Sequence, residues 1–350
     1  MKRYLLKELT SMVTLKTISE KTGFSLSVVS RALNPCPDQR VAESTKRKIE
    51  RAVQELNYRR NHTASLLARG KSTAIGVFLP YYPDSLLVDL VVGVTEKANE
   101  CDFLCNFYFG MNSQDYVEFM GSVEEVGSSG ILSYLPHVGF SSTELGRILQ
   151  KYHQDGGRLL FMNSAEYPEL GIQSLNIDNF SGGLLAAEHL FGRGCQDYIC
   201  ISPSSESWQS EQRRAGFFSF LEEKCVHPEI FYAESRSGYQ NYLLQTIETM
   251  VSLNSSRKVG IFALSDYLAM DIAGMLIQRG LHAQIGQRFL IIGYDDLPAC
   301  RHCIPALTTI RQPFRELGRR GIELLVGMIT STETGSKDML QPELVIRESA

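Results

Sequence analysis

The sequence predicts an α/β body behind a small head of three short helices, and three observations carry that prediction. A chain of 350 residues is longer than one hydrophobic core ordinarily serves, so two or three domains are expected. Charge is unevenly divided. Residues 1–71 hold 15 Lys+Arg against 6 Asp+Glu, a formal +9, whereas the remainder holds 20 against 33, a formal −13. Beyond residue 72, short β-branched and aromatic runs alternate with segments of helical period, the pattern of parallel strands covered by helices.

In the head, Thr14 is placed to cap a first helix whose apolar face is Leu15 and Ile18. Thr17 stands where a Glu would complete a capping box, so the box reads as incomplete. Gly23 permits a tight turn with positive φ. Ser25 caps a second helix in which Val29, Ala32 and Leu33 follow the i, i+3, i+4 spacing, and Asn34, Pro35 and Pro37 end it. A third helix runs through TKRKIERAVQELNY, with Ile49, Ala52, Val53 and Leu56 on one face. Two helices about a glycine turn, braced by a third, make a helix-turn-helix.

The second helix leaves Leu26, Ser27, Val28, Ser30 and Arg31 off its buried face. Such a helix fits the major groove of B-DNA. Arg31 can donate twice to a guanine edge or pair with phosphate, Ser25 and Ser30 can reach phosphates, and Leu26 can touch a thymine methyl. A basic head on an acidic body fits a protein of which only the head meets a polyanion. The plainer alternative is a helical hairpin with a solvated basic face.

In the body, the strand candidates are AIGVFL, GILSYL, RLLFMN, YICIS, VGIFAL and FLIIGY, with helical patterns such as LLVDLVVGVTEKANE and LAMDIAGMLIQRG between them. Ligands of open α/β sheets bind beyond the carboxyl ends of strands. The polar residues there are Tyr81, Tyr82, Asn163, Ser265, Asp266, Asp295 and Asp296, with Arg213 near the start of a helix. Carboxylates, amides and an arginine suit the hydroxyls of a sugar. Trp208, the single Trp, can stack on a sugar face or anchor its loop.

From Thr14 through Asn34, through YRRN at 58–61 and on into AIGVFLP, the chain resembles the lac repressor (LacI/GalR) family of bacterial transcription regulators. The resemblance continues, in the family's order, through IDN (177–179), RRAGF (213–217), FALSDYLAM (262–270), IIGYDD (291–296), LTTIRQPFRELG (307–318) and ELVIRES (343–349). It implies a helix-turn-helix domain over 1–60, a hinge helix and linker over 61–72, and a body over 73–350. That body would be two-lobed, periplasmic-binding-protein-like, effector-binding and dimerising. It further implies a homodimer on double-stranded operator DNA, usually as a repressor, with two hinges ordering side by side and Leu67 wedged into the minor groove. The DNA-contacting set is then Thr14, Ser25, Leu26, Ser27, Ser30, Arg31 and Asn34 in the head, with Asn61 and Leu67 in the hinge.

By the same resemblance Asn163, Arg213, Ser265, Asp295 and Gln312 line the effector site, to which the residues themselves add Tyr81, Tyr82 and Trp208. Asp266 and Asp296 are expected to support the site from behind. Several positions depart from the family pattern. Arg60 replaces Pro, Val28 replaces Thr, Ala42 replaces a Ser cap, Asn163 replaces Asp, Ser265 replaces Asn, and the PCPDQR loop is longer.

Other chemistry is weakly signalled. CRHC at 300–303 offers Cys300, His302 and Cys303 without a second matching pair, so no metal and no cofactor is expected. Neither a phosphate loop, nor GxSxG, nor HExxH occurs, which disfavours an enzyme. The start MKRYLLKELTSM has no sustained apolar run and no window is long and apolar enough to span a membrane. Eight cysteines without framework spacing fit reduced thiols, and a cytoplasmic protein is expected. The rival readings are a sugar-binding receptor without a DNA role and an enzyme on the same scaffold.

Overall fold

The computed structural model describes residues 13–33, 41–56, 58, 72–81, 85–135, 142–154, 156–165, 171–203, 207–233, 257–330 and 339–350. Its contacts divide the chain into two compact units, Met1–Ser72 and Thr73–Ala350. The expected hinge, and with it Asn61 and Leu67, lies outside the described residues, as do Asn34 and Tyr82.

The first unit contains α1 (Leu15–Thr22), α2 (Leu26–Leu33) and α3 (Glu43–Glu55). Thr14 caps α1, and its capping box is complete, a correction to the sequence reading. The hydroxyl of Thr17 accepts from the Thr14 N–H at 3.2 Å, so a threonine does what a Glu would. Gly23 ends α1 at φ 73° and donates to the Ser19 carbonyl. Ala42 precedes α3 without a side-chain cap. Ile18, Val29, Ala32, Ile49 and Ala52 form the buried centre, one or two from each helix.

The second unit is built on two sheets. The first, in order β2-β1-β3-β4-β5, comprises β1 (Ala74–Pro80), β2 (Leu104–Gly110), β3 (Gly130–Ser133), β4 (Arg158–Met162) and β5 (Gln173–Leu175), all parallel. It is covered by α4 (Ser85–Glu100), α5 (Ser113–Val126) and α6 (Ser142–Gln154). The second sheet takes β6 (Asp197–Pro203), β7 (Glu229–Ala233), β8 (Val259–Ala263), β9 (Phe289–Asp295), β10 (Thr308–Arg311) and β11 (Glu343–Val345), in order β11-β10-β9-β8-β6-β7. All pairs there are parallel except β10 with β11. It packs with α7 (Asn179–Gly192), α8 (Trp208–Glu223) and α9 (Asp266–Gln278). The last helix, α10 (Phe314–Thr330), returns to the first lobe, where Phe314, Leu317, Ile322 and Leu325 join its core.

The chain therefore passes between the lobes after β5, after β10 and after α10. The first and third passages are tied. Asp178 donates to the Leu340 carbonyl and Leu340 to the Asn176 carbonyl, each at 2.9 Å.

Each lobe also carries one close helix crossing made possible by facing glycines. A Cβ on Gly93 of α4 would lie closer than 3.0 Å to the Arg315 carbonyl of α10, and one on Gly318 equally close to the Leu90 carbonyl. In the second lobe, Gly183 of α7 stands against the Arg213 carbonyl, and Gly216 of α8 against the Phe180 carbonyl. Here the obstacle is rigid backbone, so the helices themselves would have to part. Gly216→Ala is expected to cost about 2 kcal/mol or more by overpacking. Gly274→Ala, within α9 and with nothing inside 4 Å of the new methyl, should be neutral or stabilise by about 0.5–1 kcal/mol. Urea unfolding of the two variants checks this; equal midpoints would contradict it.

Candidate nucleic-acid interface and ligand site

In the head, burial of Val29 and Ala32 fixes which side of α2 faces outward. Leu26 is 48% exposed. Ser25, Ser27 and Arg31 are exposed with it, and Ser30 is half-buried. The Ser25 and Ser27 hydroxyls meet at 3.0 Å, and Arg31 lies back along α2, its Nε donating to the Ser27 carbonyl at 3.1 Å. Thr14 is exposed, with its hydroxyl engaged in the α1 cap. The head's ion pairs, such as Lys21–Glu55 at 2.7 Å, are solvent-exposed and contribute little to stability.

In the body, the residues beyond the strand ends converge on one polar network. Asn163 follows β4 with φ 44° and is 3% exposed. Its side-chain oxygen accepts from the Asn179 amide at 3.0 Å, and its main-chain carbonyl accepts from the Gln209 amide. Asn179 opens α7 and Gln209 lies in the first turn of α8, so both bonds join the first lobe to the second.

Arg213, one turn after Gln209, is the centre. Its Nε donates to Asn179 Oδ1 at 2.9 Å and its Nη1 to the Leu264 carbonyl at 2.8 Å. Its guanidinium lies 3.7 Å from the centroid of the Tyr294 ring, and its Nη1 is 3.8 Å from Asp295 Oδ1. Burial pushes the Tyr294 phenol well above its ordinary pKa, so it stays protonated and donates to Asn179 Oδ1 at 3.3 Å. Asp295 has φ 125°, and its Oδ1 accepts from the Gln312 amide at 2.6 Å. Gln312 belongs to the second passage between lobes, between β10 and α10.

Two carboxylates hold this floor in place. Asp266 is wholly buried and accepts from Thr309 Oγ1 at 2.5 Å and the Leu297 N–H at 2.8 Å. Burial raises its pKa, against the hydrogen bonds it accepts. Asp296 is clamped by Arg347 and by Arg311, the latter at 2.8 Å. Both are thus engaged by neighbours other than Arg213.

Of the sequence-derived ligand residues, Asn163, Arg213, Asp295 and Gln312 are joined in this network. Ser265 caps α9, accepting from the Leu268 N–H at 3.3 Å, and its neighbour Leu264 supplies the carbonyl for Arg213. Trp208 is half-buried at the first position of α8, and Tyr81 is 67% exposed after β1; neither belongs to the network. The sequence reading missed Asn179, Gln209 and Tyr294 as site residues. Asn179 and Tyr294 stood within the quoted IDN and IIGYDD motifs, whereas Gln209 carried no signal beyond its place beside Trp208.

Among the described residues no cluster of His, Cys, Asp and Glu is arranged to hold a metal, and no helix is long and apolar enough to cross a membrane. Cys300 is buried, and its thiol is raised well above its ordinary pKa by burial.

Comparison with known proteins bears on both units. Residues 14–61 match the domain of bacterial regulatory proteins of the lacI family, and residues 187–350 match a periplasmic binding protein-like domain. The HTH-type transcriptional repressor PurR of Vibrio parahaemolyticus serotype O3:K6 is 27% identical over 345 residues, covering 97% of this chain and 98% of that one. The probable HTH-type transcriptional repressor ExuR of Bacillus subtilis is 25% identical, over 97% and 98%. In structure, the lac repressor dimer bound to operator and the anti-inducer ONPF is similar with a TM-score of 0.76 at 23% identity, covering 96% and 98%. The transcriptional regulator CelR in complex with cellobiose follows with a TM-score of 0.65 at 20% identity, covering 97% and 100%. The chain thus joins a domain of the lacI-family regulatory type to a periplasmic binding protein-like domain, the combination to which its relatives are similar along almost their whole length.

Proposed function

We propose that the protein is a sequence-specific DNA-binding transcription regulator, acting as a repressor, whose grip on its operator is set by a small polyhydroxylated metabolite held between the two lobes. One observation carries this reading. A single chain joins a basic three-helix head, whose second helix exposes Leu26, Ser27 and Arg31, to a body whose lobes meet at a network of amides around one arginine and one carboxylate. The relatives whose names print a role are regulators and repressors. We take 1–60 as the DNA-binding domain, 61–72 as hinge helix and linker, and 73–350 as the ligand-binding and dimerising body of a cytoplasmic protein.

The reading makes the body a binding module rather than an enzyme. Arg213 and Asp295 are held by each other and by their neighbours, a setting suited to orienting hydroxyls. Because Asn163 touches Asn179 and Gln209 across the lobes, a ligand inserted there changes the relation of the lobes, and the hinge passes that change to the head. One short recognition helix spans too few base pairs for specificity, so two chains read a near-palindrome.

Selection of operators from a random duplex library by the purified full chain tests the DNA half. Exchanging Leu26 and Ser27 together should change the selected consensus; an unchanged consensus would count against base readout by α2. Arg31→Ala should cost about 1–3 kcal/mol if the arginine reads a guanine, with relaxed preference at that position. Affinity for the selected operator should fall steeply as salt is raised. Leu67→Ala should weaken operator binding and reduce the bend seen by gel mobility while leaving ligand affinity intact, whereas an unaltered bend and affinity would remove the wedge from the account.

A further inference from the structure

The side chains of α2 divide into those the head uses for itself and those it leaves open, and the division bears on which base features the helix can read. The inference rests on the head being the DNA-binding unit. Of the five apolar residues of α2, four serve the head's own packing: Val29 and Ala32 are buried in its centre, and Val28 and Leu33 pack against them. Leu26 alone takes no part in that packing among the described residues, and it is 48% exposed. Val28 is thereby withdrawn from the outward face, which leaves Leu26 as the one apolar group beside the exposed Ser25, Ser27 and Arg31.

The polar neighbours are already partly engaged. The hydroxyls of Ser25 and Ser27 are bonded to each other at 3.0 Å. Arg31 spends its Nε on the Ser27 carbonyl at 3.1 Å, which keeps the edge of Nη1 and Nη2 for a guanine. Leu26 has neither donor nor acceptor, so the hydrogen-bonding pattern of a base edge is invisible to it. The major groove offers one apolar feature among the four bases, the C5-methyl of thymine. A 5-methylcytosine carries its methyl at the same ring position.

We propose that Leu26 reads a C5-methyl group in each half of the operator. Thymine is favoured there over uracil, and 5-methylcytosine over cytosine, so that cytosine methylation at this position strengthens binding.

The test uses an operator selected by the full chain. It is remade with deoxyuridine for each thymine in turn, at the matching place in both halves. Uracil keeps the pairing edge of thymine and lacks only the methyl. One thymine in each half should stand out, its paired replacement lowering affinity about fifteenfold, which corresponds to about 0.8 kcal/mol for each methyl no longer buried. At that position 5-methylcytosine should bind about fifteenfold more tightly than cytosine. In Leu26→Ala the gap between thymine and uracil should close to about twofold or less, whereas Arg31→Ala should weaken both duplexes and leave the gap. Alanine favours a helix and Leu26 lies outside the packed centre, so the variant should keep the circular dichroism of the parent. Methyl groups also alter the shape of the duplex, an effect that Leu26→Ala does not touch. A gap that persisted in this variant would therefore overturn the proposal. An operator in which every thymine could be replaced without loss would overturn it too, while leaving the head as a reader of DNA. Selection that yielded no preferred duplex would reject the DNA reading itself, and this inference with it.

Discussion

The body depends on the placement of one buried guanidinium. Arg213 satisfies three kinds of neighbour at once: an amide oxygen from α7, a main-chain carbonyl after β8, and the ring and carboxylate that follow one another at the end of β9. A buried charge left without partners would cost several kcal/mol, so each of these elements is constrained by the need to meet it. The close crossing of α7 and α8 serves the same end. Gly183 and Gly216 let the two helix backbones touch, which brings Asn179 at the start of one within reach of Arg213 on the other. Tyr294 reaches the same place over Gly182, where a side chain would strike its ring.

The network is also where the lobes bond to each other. Asn163 is the one member from the carboxyl end of the first sheet, and it gives its two oxygens to amides of the second lobe. Gln312, at the other extreme, sits on a passage between lobes and holds Asp295. A ligand that replaced any of these bonds would alter contacts made across the lobes, which gives a physical route from occupancy to conformation. Asp266 and Asp296 work differently. Their bonds go to Thr309, Leu297, Arg311 and Arg347, so they stiffen the floor that carries Asp295.

Much of this was legible in the sequence. Long apolar runs such as FLIIGY gave their strands because buried parallel strands are apolar throughout. By contrast β5 and β11 have three residues each, and β2, with the half-exposed pattern of an edge, was passed over. Their pairing is set by neighbours far along the chain, which periodicity does not record. The head was readable because its turn and caps are local, although Thr17 shows that a threonine can stand in for the expected Glu. Of the residues that the network joins, Arg213, Asp295 and Asn163 were singled out by their places near strand ends, and Gln312 only through the family resemblance. Asn179 was overlooked because a polar residue beside a helix cap, here Asp178, ordinarily serves the helix end, and Tyr294 because an aromatic at a strand end reads as core.

Asn163 and Asn179 hold the lobes together as one unit with Arg213. A double-mutant cycle measures it directly. Asn163→Gly keeps the positive φ while removing the side chain, and Asn179→Ala removes the amide. Urea unfolding of the two single variants and the double variant should give a coupling energy of about 0.5–3 kcal/mol, as for residues sharing one hydrogen-bond network. Effects that add to within about 0.3–0.5 kcal/mol would mean that the two asparagines act independently, and would contradict the account.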